Sequence, residues 1–244
     1  MIYGLRQGRP AFLASVTNAA EAETALAGGA DIIDCKDPSS GALGALDLAA
    51  VREIVTRIDG RLPVSATVGD LPPVADVLVN AVDRMAETGV DIVKIGIFAG
   101  DDPRAAIAAL GSDRHSSTPL VAVLMADQRP DFSLLTELAA AGFFGVMLDT
   151  ADKSSGRLPT VLPLTRLDEF VKLARNNDLF VGLAGSLKGT DIPALAALQP
   201  DMLGFRGALC SAGRVSSLER DRLDAIRQEI DKAKRAIARE KTVA

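Results

Sequence analysis

The sequence predicts an α/β fold, a (β/α)8 TIM barrel that forms a single domain over residues 1–244. Eight short apolar runs alternate strictly with eight segments of helical spacing, and the order helix end, glycine, strand recurs in LAGGADIIDCK, AETGVDIVKIG and AAAGFFGVMLD. Repeated strand–helix units form a parallel sheet, and eight of them in a chain of this length make a closed barrel. An open, doubly wound sheet is the alternative, but no GxGxxG motif follows the first strand.

The predicted strands are short runs of mostly apolar residues. In chain order they are AFLASV (11–16), DIIDC (31–35), LPVSATV (62–68), DIVKIGI (91–97), PLVAVLM (119–125), FFGVML (143–148), LFVGLA (179–184) and DMLGFR (201–206). The residues before the first strand, 1–10, are predicted to be an N-terminal extension.

The predicted helices follow the strands one by one. They cover residues 18–29, 48–58, 74–89, 102–111, 131–142, 164–177, 190–199 and 216–240. Four of them begin on residues that favour a helix start, namely Asn18, Asp102, Asp131 and Thr190, and several end on glycine. Each strand is therefore expected to have its own covering helix.

Composition and charge argue against several classes of function. The chain is 48% hydrophobic and 24% charged, as globular proteins are, and no apolar run reaches the ~18 residues of a membrane helix. A net charge of -5 argues against nucleic acids and anionic membranes as partners. Two distant cysteines and a single histidine argue against a disulfide framework, a transition-metal site and a Ser–His pair. We therefore expect a cytoplasmic protein without a transition-metal site, and the sequence leaves open whether it forms a homo-oligomer.

Two lysines are predicted at the carboxyl ends of the strands, where the active site of a barrel lies. Side chains alternate along a strand, so Asp34 and Lys36 of the second strand, Lys94 of the fourth and Asp149 of the sixth point inward. The chain has 8 lysines against 19 arginines, so two inward lysines on alternate strands favour function over a mere salt bridge. The same rim is predicted to receive Ser65, Thr67 and Asp70 from the third strand, Lys153 from the loop after the sixth, and Arg206 from the eighth.

Two lysines in one layer of a barrel can support Schiff-base chemistry. An ammonium with the ordinary pKa of ~10.4 is no nucleophile, but burial or a neighbouring cation lowers that pKa and frees the amine to attack a carbonyl. Lys36 and Lys94 are expected to be such neighbours, and the sequence leaves open which of them is neutral. Asp34 is expected to pair with an ammonium group, whereas Asp149 is expected to move protons.

The loops after the seventh and eighth strands, GLAGSLKG (182–189) and GFRGALC (204–210), are expected to bind phosphate. Glycines let backbone amides approach an anion closely, and a serine or an arginine can add donors. The predicted phosphate ligands are Gly185, Ser186, Arg206 and Gly207, and the rest of the substrate pocket is Asp34, Ser65, Thr67 and Asp70. Ordinary turn chemistry is the alternative. The residues alone thus predict, as partner, a small phosphorylated carbonyl compound handled through an imine.

Six segments of the chain, found between residue 11 and about residue 225, are similar to one known family. They are GGADIIDCKDPSSGALGA, LPVSATVGD, DIVKIGIF, VMLDTADKSSGRL, GLAGSLK and DMLGFRGALC. They resemble the (5-formylfuran-3-yl)methyl phosphate synthases, also called 4-(hydroxymethyl)-2-furancarboxaldehyde-phosphate synthases. The resemblance is specific, because DxKxPxxGxLGA together with SATVGD and LDTxxK is not a general barrel pattern.

The resemblance implies a cofactor-free barrel that condenses two molecules of glyceraldehyde 3-phosphate into a furan aldehyde carrying one phosphate, with release of phosphate and water. The product would feed the synthesis of methanofuran or methylofuran. The resemblance also implies that Lys36 forms the Schiff base, that Lys94 accepts a proton, and that Asp149 and Lys153 support the reaction.

Three other functions fit the same residues. A class I aldolase acting on sugar phosphates would use the same lysine chemistry without releasing phosphate. A decarboxylase of the orotidylate type also carries DxK in a small barrel, but it would keep its lysine charged. A barrel that only binds a phosphorylated metabolite would have no catalytic activity, and replacing its two lysines by alanine would leave its ligand affinity nearly intact.

Overall fold

Eight parallel strands close into one barrel in the computed structural model, which confirms the predicted fold. The structure describes Gly4 and residues 10–98, 102–112, 115–152 and 154–243. The strands are β1 (Ala11–Val16), β2 (Ile32–Cys35), β3 (Val64–Thr67), β4 (Ile92–Ile97), β5 (Leu120–Met125), β6 (Gly145–Asp149), β7 (Phe180–Leu183) and β8 (Met202–Phe205). Each strand pairs with its neighbours in sequence, and β1 pairs with β8 to complete the ring.

The described part of the chain has one more α-helix than the sequence pattern predicts. The helices are α1 (Ala19–Ala27), α2 (Leu48–Ile58), α3 (Ala75–Ala86), α4 (Arg104–Ser112), α5 (Leu134–Ala140), α6 (Leu158–Val161), α7 (Leu164–Asn176), α8 (Ile192–Ala197) and α9 (Arg220–Val243). The additional helix, α6, is a single turn with Pro159 near its start, where a missing backbone N–H does no harm. A segment of four residues shows no helical periodicity, so the pattern could not reveal it.

Side-chain caps confirm two of the four predicted helix-start residues. Asn18 and Asp102 each accept a hydrogen bond from a backbone N–H two or three residues further along, at the starts of α1 and α4. Asp131 accepts a hydrogen bond from the backbone N–H of Ser133 but lies before α5, whose N-cap residue is Ser133. Thr190 does not have this role, because it lies inside a short 3-10 turn, Gly189–Asp191, that precedes α8.

The core consists of two layers that follow the alternation of side chains along each strand. Ile32 and Ile92 fill the inside of the barrel, while Ile33 and Val93 pack between the strands and the helices. Gly182 leaves space inside the barrel, since a Cβ there would lie 2.5 Å from the methyl group of Met202. The barrel is therefore filled through most of its length, and space for chemistry is left at its carboxyl end.

The loops after β2 and β6 share one turn. In the first, Asp37 accepts hydrogen bonds from Ser39 N (2.8 Å), Ser39 Oγ (2.6 Å) and Ser40 Oγ (2.5 Å). In the second, Asp152 accepts the same three from Ser154 and Ser155 at the same distances. These hydrogen bonds lower the pKa of both carboxyls, in the second case to about 2. Both turns lie at the barrel mouth, just beyond the inward carboxylates of β2 and β6.

Of the predicted N-terminal extension the structure describes only Gly4 and Pro10, so that prediction lies outside the described residues. Within the described ranges no helix has the length and apolar character needed to cross a membrane. Over the same ranges there is no cluster of His, Cys, Asp and Glu that could hold a metal ion, and Cys35 and Cys210 are buried free thiols.

Candidate active site

The end of β2 carries two charged side chains into the mouth of the barrel. Asp34 is 1% exposed and Lys36 is 8% exposed, and both line a cavity of about 720 Å³ at the carboxyl ends of the strands. Between them Cys35 points toward the helices, where burial raises the pKa of its thiol. The alternation predicted for this strand is therefore confirmed.

Lys94 on β4 forms a buried ion pair with Asp34, with 2.7 Å between Nζ and Oδ1. The same carboxylate accepts hydrogen bonds from Ser15 Oγ at 2.9 Å and Ser65 Oγ at 2.7 Å. All four side chains are nearly inaccessible to solvent, so each charge is matched by partners rather than by water. The expectation that Asp34 pairs with an ammonium group is confirmed. Ser65, predicted for the substrate pocket, contacts Asp34 from behind and does not itself line the cavity. Ser15 was missed, although it is the polar residue near the end of an apolar run on β1.

Lys36 pairs with Asp149 across the mouth of the barrel. Its Nζ lies 3.0 Å from Asp149 Oδ2, and the other carboxylate oxygen accepts a hydrogen bond from Thr150 N at 2.7 Å. Asp149 is held in place from its own strand and touches the predicted nucleophile directly. It is therefore positioned to take a proton from that amine or to return one.

The positive charge of Lys36 influences the protonation of Lys94, as expected. The pKa of Lys94 is lowered because the side chain is fully buried, and the positive charge of Lys36 adds to the lowering while Asp34 and Asp149 oppose it. Burial is the largest of these influences and decides the direction. The sequence left open which lysine is neutral, and the structure indicates that Lys94 gives up its proton more readily than an ordinary lysine.

Both loops that were predicted to hold phosphate reach the same cavity. Gly185, Ser186 and Gly207 line it together with the two lysines. Gly185 and Ser186 have φ angles of 111° and 51°, a left-handed turn that is unfavourable for a serine. Among the described residues no group accepts a hydrogen bond from the backbone N–H of Gly207 or Ala208. The predicted backbone ligands are therefore brought together.

Arg206 lines the cavity, but its guanidinium is not available to a phosphate. Its donors bond Glu21 Oε2 at 2.5 Å and Oε1 at 3.3 Å, and three carbonyl oxygens: Ser15 at 3.2 Å, Arg214 at 2.8 Å and Ser216 at 2.9 Å. Burial alone would raise the pKa of Glu21, yet the hydrogen bonds and charge of Arg206 lower it overall. The fork of donors predicted for phosphate instead fixes the loop after β8 to α1 and β1.

Thr67 and Asp70 also serve a different purpose from the one predicted. Asp70 is exposed and accepts hydrogen bonds from the backbone N–H groups of Ala42 and Leu43 at 2.8 and 2.7 Å. The reason is a turn at Gly41, whose φ of 104° directs those two N–H groups toward the carboxylate. Thr67 is buried and donates to a carbonyl of the same loop. Neither residue lines the cavity; both hold the loop that follows Lys36.

The prediction for Lys153 lies outside the described residues. The loop on its amino-terminal side is held by Asp127, whose carboxylate accepts hydrogen bonds from the backbone N–H groups of Ala151 at 2.8 Å and Asp152 at 2.7 Å. Sequence reasoning missed Asp127, because nothing in strand periodicity shows which loop a residue beyond β5 will contact. It also gave no role to Lys188 and Arg214, two cations that line the cavity.

Comparison with known proteins agrees with this architecture. The profile of the 4-HFC-P synthase family matches residues 12–227. A protein of Methylorubrum extorquens assigned to the (5-formylfuran-3-yl)methyl phosphate synthases is 43% identical over 211 residues, which cover 86% of this chain and 87% of the relative. The (5-formylfuran-3-yl)methyl phosphate synthase of Methanopyrus kandleri is 37% identical, with 84% of this chain and 91% of the relative covered.

Solved structures of lower identity share the fold. Phosphoribosyl anthranilate isomerase from Thermus thermophilus matches with a TM-score of 0.65 at 17% identity, covering 92% of this chain and 99% of that chain. The 3-keto-L-gulonate-6-phosphate decarboxylase of Vibrio cholerae matches with a TM-score of 0.65 at 13% identity, covering 92% and 98%. At this identity the solved structures show a shared fold only, whereas the family profile and the curated relatives match most of the sequence. The chain belongs to the 4-HFC-P synthase family.

Proposed function

We propose that this chain condenses two molecules of glyceraldehyde 3-phosphate into (5-formylfuran-3-yl)methyl phosphate, releasing inorganic phosphate and water, as a carbon–oxygen lyase. The observation that carries the proposal is the pair of Lys–Asp contacts in one cavity, Lys36 with Asp149 and Lys94 with Asp34. The names of the relatives support the product. We further propose that the reaction takes place in the cytoplasm and supplies methanofuran or methylofuran synthesis.

The first step is imine formation at Lys36. Of the two amines it is the more exposed, with 10% of its side chain accessible against 3% for Lys94, so an incoming aldehyde meets it first. Asp149 is in contact with its amine and takes up the proton that leaves as the carbinolamine forms, then returns it as water departs. The ion pair thus prepares both the nucleophile and its proton carrier.

The second step is removal of a proton from the carbon next to the imine. Lys94 is suited to this because its burial favours the neutral amine, which is a base. Asp34 and its two serine partners hold that amine in place from β1, β2 and β3. The resulting enamine attacks the aldehyde of the second triose phosphate, and cyclisation follows.

In the final steps phosphate and water are eliminated, the C–N bond to Lys36 breaks so that its free amine is restored, and an aromatic ring is left. The reaction involves no net oxidation or reduction, so the proposed steps need no redox partner and are assisted by proton transfer. Asp149 can take part again, and Lys153 is proposed as a further proton relay, as the family resemblance implies. The backbone amides of Gly185, Ser186 and Gly207 hold the phosphate that is retained.

The test is incubation of the protein with glyceraldehyde 3-phosphate while an ultraviolet-absorbing furan aldehyde and inorganic phosphate are measured together. Replacement of Lys36 by Ala should abolish both. Lys172→Ala is the matched control, because Lys172 is an exposed helix lysine paired with Asp168 and lies away from the cavity.

The alternatives give different results in the same assay. An aldolase would consume substrate without releasing phosphate. A decarboxylase would form no adduct that borohydride can trap, and a binding protein would show saturable binding with no product. Any of these three outcomes would overturn the proposal.

A further inference from the structure

The phosphate loops lack the cation that was expected for them. All the donor atoms of Arg206 are engaged by Glu21 and by backbone carbonyls, so this arginine has no N–H left to give an anion. A doubly charged phosphate monoester held by backbone amides alone would lie beside the carboxylates of the site without a counter-charge. Another cation that lines the same cavity is therefore of interest.

Arg214 has the required position. It lies on the loop between β8 and α9 and lines the cavity. A Cβ placed on Gly207 would lie 3.8 Å from the Cβ of Arg214, so the side chain of Arg214 starts beside one of the predicted phosphate amides. It then reaches the loop after β2, where its Nη2 donates to the carbonyl of Gly41 at 2.8 Å.

Arg214 also has donors to spare. Its contact with Gly41 is with a neutral carbonyl, and within the described residues its guanidinium forms no ion pair with a carboxylate. Its charge contributes to the lowered pKa of Asp37 without a direct contact. A half-buried guanidinium with unused N–H groups at a cavity wall has the geometry that recognises a phosphate through two parallel hydrogen bonds.

The backbone that carries this side chain is fixed by Arg206. The Nε of Arg206 donates to the carbonyl of Arg214, and the Nη2 of Arg206 donates to the carbonyl of Ser216. The ion pair with Glu21 anchors Arg206 to α1. Arg206 therefore holds the segment from 214 to 216 in one place. These contacts suit Arg206 to position Arg214, although Arg206 itself has no donor left for a ligand.

We propose that Arg214 binds the phosphate group of the substrate and that Arg206 is a positioning residue for it. The ligand class is a phosphate monoester of a small aldehyde, so the inference rests on the proposed function and names its phosphate-binding cation. Inorganic phosphate, as a product of the proposed reaction, should bind at the same place.

The test is a calorimetric titration of inorganic phosphate into the full chain. Arg214→Gln should weaken phosphate binding by about tenfold or more, as expected for the loss of a charge-assisted, two-pronged contact. Arg220→Gln is the matched control, because Arg220 is exposed, pairs with Asp224 and does not line the cavity, and it should bind phosphate as the wild type does. Equal binding by the Arg214 variant, or a loss seen in Lys188→Gln instead, would overturn the inference.

A second measurement separates phosphate recognition from a collapsed loop. Imine formation can be followed by borohydride trapping with glyceraldehyde 3-phosphate and with unphosphorylated glyceraldehyde. In Arg214→Gln the half-saturating concentration should rise about tenfold for the phosphorylated aldehyde and stay unchanged for the other. A rise for both aldehydes would show that the loop, not the phosphate contact, was lost, and would contradict the inference.

The role of Arg206 is tested by a double-mutant cycle. Arg206→Lys should weaken phosphate binding when Arg214 is present and have no further effect in the Arg214→Gln background. Additive effects would contradict positioning. These binding results do not depend on product formation, so a protein that binds phosphate through Arg214 but forms no furan would refute the proposed function alone.

Discussion

Replacing Lys94 by Met tests the buried Lys94–Asp34 pair through protein stability. The substitution keeps the approximate length of the side chain but leaves the carboxylate of Asp34, which is 1% exposed, without a counter-charge. The double variant Asp34→Asn/Lys94→Met removes both charges and leaves a neutral amide that can still bond Ser15 and Ser65. Comparison of the two variants isolates the effect of the unpaired charge.

Removing one partner of a buried ion pair costs about 3–5 kcal/mol in free energy of unfolding. Asp34 would keep two hydroxyl donors at 2.9 and 2.7 Å, so we expect a value near the lower end. A loss of about 3 kcal/mol corresponds to a fall in Tm of roughly 6–12 °C for a domain of this size. The double variant should recover most of this loss, because replacing a whole buried pair by neutral groups is often nearly neutral.

The assay is thermal and urea unfolding of the wild type and both variants across pH. Because the folded protein lowers the pKa of Lys94 below its ordinary value of 10.5, the unfolded chain binds more protons at intermediate pH. The stability of the wild type relative to the double variant should therefore rise as pH increases toward 10.5. A single variant as stable as the wild type, or a relative stability that falls with pH, would refute this reasoning.

Three further predictions follow from the contacts around the cavity. Asp149→Asn should slow imine trapping at Lys36 and lower kcat by about 10²–10⁴ because its proton carrier is lost, which steady-state and trapping kinetics will show; unchanged rates would contradict that role. Glu21→Gln should lower the free energy of unfolding by about 1–3 kcal/mol at neutral pH. Because the pKa of Glu21 is held below 4.5 in the folded protein, this difference should disappear as pH falls through its folded value, as denaturation curves at pH 7 and at acid pH can test. Asp70→Ala should speed hydrogen exchange at residues 42 and 43 and lower kcat about tenfold while phosphate binding is kept; protected amides would contradict the role given to this carboxylate.

The alternation of side chains along strands made half of the site predictable. It gives the inward direction of Lys36, Lys94 and Asp149 once the strands are recognised, and barrel closure then brings β2, β4 and β6 to one mouth. The pairing of Asp34 with an ammonium group follows from the same geometry. These contacts depend on regular structure, which a local pattern in the sequence can reveal.

Contacts made by loops could not be predicted in this way. Arg206 lies just past the end of β8, and its partner Glu21 is 185 residues away on α1, so no spacing relates the two. Asp70 turns away from the cavity because of the backbone conformation at Gly41, which strand alternation does not describe. The cation that we propose for phosphate, Arg214, lies in an irregular loop for the same reason.

Locating the imine tests most directly whether Lys36 is the nucleophile and Lys94 the base. The protein would be treated with glyceraldehyde 3-phosphate and borohydride, digested, and examined by mass spectrometry. We predict a reduced triose phosphate adduct on Lys36 in the wild type, and the same adduct in Lys94→Met, which should form no furan aldehyde. An adduct on Lys94, or no adduct on either lysine, would contradict the assignment of nucleophile and base.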